Sequence, residues 1–223
     1  AAAAAVLGVL LVLTFAQTGH WRSSVTLFRQ ALAATERNNL AHNSLGAALS
    51  ERGRKEEAIA HFRRALEIEP NYPKALANLG LALIERGRPG EAEMHLRRAL
   101  ELEPEDVQVN LNLGYLLGRT GRLDAALVHL RKALERDPLN AEGHNNLGIV
   151  RAMKGQPRQA KEHFERAIAL RPGYVGALFN LARLLADQGE NERARATLHR
   201  ILQLEPTHRG AHQWLQRLLG RQM

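Results

Sequence analysis

The chain has 223 residues, of which 45% are apolar and only 4% aromatic, a balance that suits packed amphipathic helices and leaves little for the stacking surfaces that read single-stranded nucleic acid. It has no cysteine, which excludes disulfides, thiolate catalysis and cysteine-held zinc or iron–sulfur sites. The formal net charge of +8 favours anionic partners in general, but Lys and Arg alternate with Glu and Asp along most of the chain, so no nucleic-acid partner is expected.

Residues 1–20 open with AAAAAVLGVLLVLTFA, and no charge occurs before Arg22. Sixteen helical residues rise about 24 Å, short of the roughly 30 Å of hydrocarbon that a full span must cross. A secretory signal would begin with Met and a basic stretch, and neither is present. The expectation is an apolar helix, the end of a transmembrane segment that begins upstream and anchors the chain to a membrane. Residues 21–38 follow as a degenerate half-repeat, in which Phe28 and Ala31 fall on second-helix positions and Glu36 stands where later units carry Pro.

From residue 39 the chain repeats with a period of 34. Gly46, Gly80, Gly114 and Gly148 keep that step, with Ala182 in the fifth place; Ala58, Ala92, Ala126, Ala160 and Ala194 keep it too, as do Pro70, Pro104, Pro138, Pro172 and Pro206. The units are 39–72, 73–106, 107–140, 141–174 and 175–208. Each holds two stretches of helical periodicity separated by a Gly (Gly53 in the first unit), so each reads as a helical hairpin. The small Gly and Ala let paired helices approach, while Phe62, Leu96, Leu130, Phe164 and Leu198 fill the seam and the terminal Pro stops the second helix. The segment 209–223 reads as a closing helix that covers the end of the array.

This pattern resembles the tetratricopeptide repeat family, although the bulky Trp usual at the fourth position of a unit is replaced by His42, Leu76, Asn110, His144 and Leu178. The resemblance implies an all-α fold, a right-handed α-solenoid of helical hairpins. The stretch from Gly19 to Gly46, with Trp21, Ser24, Leu27, Phe28, Ala31, Leu32, Asn39, Ala41, His42, Leu45 and Gly46, also resembles the junction between the last membrane helix and the repeats of O-mannosyltransferase-like glycosyltransferases, with Ser23 and Glu36 departing from that pattern. That likeness implies a membrane-anchored chain whose repeats face the periplasm or a lumen, with a cytoplasmic array as the alternative.

No phosphate loop, HExxH helix or nucleophile–base arrangement occurs, so no catalytic residue and no cofactor is assigned, and the fragment is not expected to be an enzyme. The candidate binding residues lie at the sixth position of each unit: Ser44, Asn78, Asn112, Asn146 and Asn180. Neighbouring helices lie about 8–10 Å apart, close to the reach of three extended residues, so one carboxamide could serve every third residue of a peptide, donating and accepting at its backbone whatever its sequence. The file is similar to the asparagine ladder in the groove of the O-GlcNAc transferase repeats. The competing reading is that these Asn satisfy a neighbouring helix or were copied with the unit. Asn43 and Asn145 at the fifth position and Tyr115 at the ninth complete the candidate peptide-binding set.

The second position carries Leu40, Lys74, Gln108, Glu142 and Gly176, which argues against a basic clamp for a terminal carboxylate. His61, His95, His129 and His163 form a file in the second helices; a helix diameter separates successive units, far beyond what a shared metal allows, so they read as half-buried packing residues and no metal is expected. Arg63, Arg64, Arg97, Arg98, Arg131 and Lys132 read as a solvated outer face. The functional expectation is a scaffold that binds an extended peptide or partner protein in a concave groove; the alternatives are a substrate-positioning region of a membrane O-glycosyltransferase and a self-association scaffold.

Overall fold

The computed structural model describes residues 24–35 and 37–220. Among the described residues there are twelve helices and no strand, and they fall into two compact units that divide between Pro104 and Glu105.

The first unit holds α1 (Ser24–Ala34), α2 (Asn39–Glu51), α3 (Lys55–Ile68), α4 (Pro73–Glu85) and α5 (Pro89–Leu102). Helices α2 and α3 form one hairpin and α4 and α5 the next, with α1 packed on α2 and α3 on α4. The second unit holds α6 (Val107–Arg119), α7 (Leu123–Arg136), α8 (Ala141–Met153), α9 (Pro157–Leu170), α10 (Val175–Asp187), α11 (Asn191–Leu204) and α12 (Arg209–Gly220). Three hairpins follow one another here, and α12 closes against α11.

Helix ends follow from local chemistry. Asn38, Asp106 and Asn140 cap α2, α6 and α8 by accepting the backbone N–H of Ala41, Val109 and Gly143 at 2.7–2.9 Å, which satisfies donors that an α-helix leaves free at its start. Pro73, Pro89 and Pro157 open their helices, where the missing N–H has no helical partner to lose. At the other end, α3 stops at Ile68 and α5 at Leu102, two residues short of Pro70 and Pro104. Within the hairpins the turn demands a left-handed residue, supplied by Gly53 at φ 75° and by the Gly at the same place in each later hairpin.

The seam between paired helices has the predicted small-against-large construction. A Cβ on Gly46 would lie 2.6 Å from the Phe62 ring, on Gly114 2.6 Å from Cγ of Leu130, and on Gly148 2.6 Å from the Phe164 ring. The backbone of each first helix is thus in contact with the side chain that fills the groove, and Ala58, Ala92, Ala126 and Ala160 on the second helices are fully buried. Burying about 25 cal/mol per Å² of such apolar surface is what holds one hairpin to the next.

The membrane anchoring expected from residues 1–20 is corrected. Among the described residues no helix is long and apolar enough to cross a membrane; the longest have 14 residues, a rise of about 21 Å. The segment on which that expectation fell lies outside the described residues. An oily run too short to span is read equally well by hydropathy as a helix buried against protein, and here hydropathy alone was the guide. The basic file of the second helices is largely neutralised at the surface: Arg63 meets Glu91, Arg64 Glu67, Arg97 Glu93, Arg98 Glu101 and Lys132 Glu105. Such exposed pairs contribute little stability, typically about 0–1 kcal/mol each.

Candidate peptide-binding wall

First helices of successive hairpins touch: α2 meets α4 in the first unit, and α6 meets α8, α8 meets α10 and α10 meets α12 in the second. Each unit therefore has a wall made of first helices, and the fifth, sixth and ninth residues of each helix recur along it. Ser44 and Asn78 are half-buried in the first unit, and Asn180 is half-buried in the second, whereas Asn112 and Asn146 retain only 4% and 6% of their surface. Asn43 and Asn145 are likewise buried, at 6% each. Tyr115 is exposed, with the Arg119 guanidinium 5.7 Å from its ring centroid.

The carboxamides are not independent. Asn78 donates its side-chain N–H to Oδ1 of Asn43 at 2.9 Å, and Asn180 makes the same bond to Asn145 at 3.0 Å. In both units a sixth-position amide thus reaches back to the fifth-position amide of the preceding repeat, 35 residues away. Oδ1 of Asn112 accepts from Gln108 at 3.1 Å, and Asn145 approaches Asn146 at 3.5 Å. The candidate residues are brought together as a lateral relay, with part of their capacity used by neighbouring helices. A carboxamide has two N–H groups and an acceptor oxygen, so a single lateral bond does not exhaust Asn78 or Asn180.

A second polar layer lies between the paired helices and was not foreseen. The fourth residue of a first helix faces the histidine 19 residues on: Nδ1 of His42 lies 3.0 Å from Nδ1 of His61, Nδ1 of His144 lies 3.2 Å from Nδ1 of His163, and Nδ1 of His129 donates to Oδ1 of Asn110 at 2.9 Å. Where the fourth residue is Leu76, it is buried. Burial lowers the pKa of His42, His61 and His95, helped at His42 by the neighbouring His61 and Arg64; His163 falls to about 4 through burial, then His144, Arg151 and Arg131. The available signal was the coincidence of polar fourth residues with second-helix His. The histidine file is half-buried throughout.

Hairpins with a glycine seam, a left-handed Gly turn and a Pro stop define a helical repeat protein. Models of the tetratricopeptide repeat match residues 83–148 and 152–219, residues 9–74, and residues 61–94; the first covers more than half of the sequence, and the chain belongs to the tetratricopeptide repeat family. The match over 9–74 takes in much of the apolar segment that hydropathy assigned to a membrane. No curated protein matches in sequence. The fold is similar to pilF of Pseudomonas aeruginosa, at 29% identity over 74% of this chain and 75% of that one with a TM-score of 0.67. It is also similar to a thermophilic tetratricopeptide repeat protein of Thermus thermophilus, at 25% identity, 82% and 99% coverage and a TM-score of 0.71. YrrB, described as a repeat protein with an unusual peptide-binding site, shares the fold at 22% identity, 85% and 97% coverage and a TM-score of 0.61.

Proposed function

We propose that the chain is a protein-interaction scaffold whose first-helix walls hold an extended peptide. The observation that carries this reading is the amide relay: Asn78 on Asn43 and Asn180 on Asn145, bonded through the same atoms in both units. A lateral bond fixes the rotamers of Asn78 and Asn180, so a peptide backbone would meet an ordered donor and acceptor there without the entropic cost of immobilising them. The half-buried Asn78, Ser44 and Asn180 would make the contact, with Asn112, Asn145 and Asn146 beneath them and Tyr115 supplying an apolar surface with a polar tip.

The likeness of residues 19–46 to the junction of O-mannosyltransferase-like glycosyltransferases would make the same array the substrate-positioning part of such an enzyme. The repeat model's match over 9–74 accounts for that stretch without one. The scaffold reading is tested by selecting phage-displayed ten-residue peptides on the chain and measuring their affinity for the parent and for a variant with Asn78, Asn112, Asn146 and Asn180 all replaced by Ala. Enriched peptides should lose about ten-fold or more on the variant; peptides that bind both proteins equally would refute the reading.

A further inference from the structure

Helix α12 stands where a further first helix would begin, 34 residues after α10. Trp214 therefore takes the sixth position, in line with Asn112, Asn146 and Asn180, and Arg217 takes the ninth, in line with Tyr115, Ile149 and Arg183. Trp214 is half-buried against the same apolar core as Phe179, and the Arg217 guanidinium lies 5.6 Å from the centroid of its ring. Phe179 in turn sits with its ring centroid 5.2 Å from that of His208 and passes so near Gly210 that a Cβ there would come within 2.9 Å of it. The last two first helices of the second unit thus carry two partly buried aromatic rings, Phe179 and Trp214, and two exposed guanidinium groups, Arg183 and Arg217, the latter over Trp214.

The charge on those two groups is unanswered. In the second unit Lys132, Arg136, Lys154, Lys161 and Arg193 each meet a carboxylate, while Arg131, Arg158 and Arg166 lie on second helices without one among the described residues. Among the described residues neither Arg183 nor Arg217 has an ion pair, although Asp187 stands one turn beyond Arg183 in α10. They occupy the same register on touching helices, whose axes lie about 8–10 Å apart, and two long side chains can converge over that distance. Stacking on Trp214 also steadies the Arg217 guanidinium while leaving its edge donors free for a planar acceptor.

We propose that this end of the wall is a subsite for an acidic side chain flanked by an apolar one in an extended peptide. The carboxylate bridges Arg183 and Arg217 through charge-assisted hydrogen bonds, and the apolar neighbour lies on Trp214 and Phe179. The inference rests on the wall being a peptide groove, and it adds the chemistry of the peptide that the groove prefers.

The test is fluorescence anisotropy with ten-residue peptides blocked at both ends, carrying Asp-Glu-Phe in a Gly-Ser background, against an Asn-Gln-Phe counterpart and a neutral peptide with a free C-terminus, all at about 50 mM NaCl, where screening is modest. The acidic peptide is expected to bind about ten-fold more tightly than its amide counterpart, and an Arg183→Gln/Arg217→Gln variant with unchanged circular dichroism should erase that difference. Persistence of the difference in the variant overturns the subsite, as does tighter binding of the neutral peptide with the free C-terminus. If acidic and amide peptides bind the parent equally and both are lost on Asn180→Ala, the groove survives and the subsite falls. If none of the peptides binds, the subsite and the groove fall together.

Discussion

His163 donates its Nδ1–H to Nδ1 of His144 across 3.2 Å, and the direction is fixed from the far side of the pair. Nε2 of His144 lies 3.1 Å from the carbonyl oxygen of Pro138, which only accepts, so Nε2 carries the proton and Nδ1 presents a lone pair. The bond needs only a lone pair on Nδ1 of His144, and a proton added there would set two N–H groups against each other.

Stability should accordingly fall in mild acid. Above pH about 6.5 a histidine whose pKa is lowered by folding is neutral in both the folded and the unfolded chain. Below it the unfolded chain takes up protons that the folded chain refuses, because the pKa values of His42, His61 and His95 are lowered and that of His163 is about 4, so the loss starts near pH 6.5 and continues to about pH 4. Thermal melts at pH 7.5, 6 and 4.5 should show a steadily lower midpoint. A variant with His144→Leu and His163→Thr, which copies Leu178 and Thr197 of the last hairpin, should show a shallower decline; an identical slope would count against the pair as its source.

Gly148→Ala should destabilise the second unit by about 1–3 kcal/mol. The new Cβ would meet Cε1 and Cδ1 of Phe164 at 2.6 and 2.7 Å, and a buried ring cannot yield as a flexible chain can. Gly114→Ala meets Leu130 instead, whose branched end can change rotamer, so it should cost less. Urea denaturation of the two variants gives the comparison directly.

Breaking the amide relay has a separate signature. Asn78→Ala removes the donor to Oδ1 of Asn43, which is 6% exposed, and leaving a buried acceptor unmet costs about 1–3 kcal/mol. The double change Asn43→Ala/Asn78→Ala removes both partners and should cost less than the sum of the single changes. Additive losses in a double-mutant cycle would mean that the two amides are energetically independent.

A variant with Ala at Asn78, Asn112, Asn146 and Asn180 should keep its helical content, since Ala is the stronger helix former by up to about 0.7 kcal/mol per site. Peptide binding should be lost. Circular dichroism and anisotropy on the same sample separate the two effects.

Helices and hairpins were legible because the chain writes them locally and repeats them. Gly46 with Phe62, Gly53 at the turn and Pro70 at the stop belong to one unit, and each has a counterpart 34 residues on. The relay was not legible in the same way. Asn78 and Asn43 are 35 residues apart, so the bond links different positions of successive repeats, and a scan for identical positions reports the asparagine file without its lateral partner. The histidine pairs were hidden for a related reason: His61 was compared with His95 in the next unit, whereas its partner is His42 across the hairpin. Membrane anchoring was read into residues 1–20 from hydropathy alone, and uninterrupted apolar character does not separate a lipid-facing segment from one that packs on protein.

Helix α12 buries Ala211, Leu215 and Leu218 toward α11 and leaves His212 and Gln216 in solvent. Gln216 holds the register of Gly46 and Gly148, the place where every earlier first helix admits its mate. A long, solvent-exposed amide there replaces the hydrogen that lets Gly46 receive the Phe62 ring and Gly148 the Phe164 ring, so α12 offers no matching recess for a seam side chain.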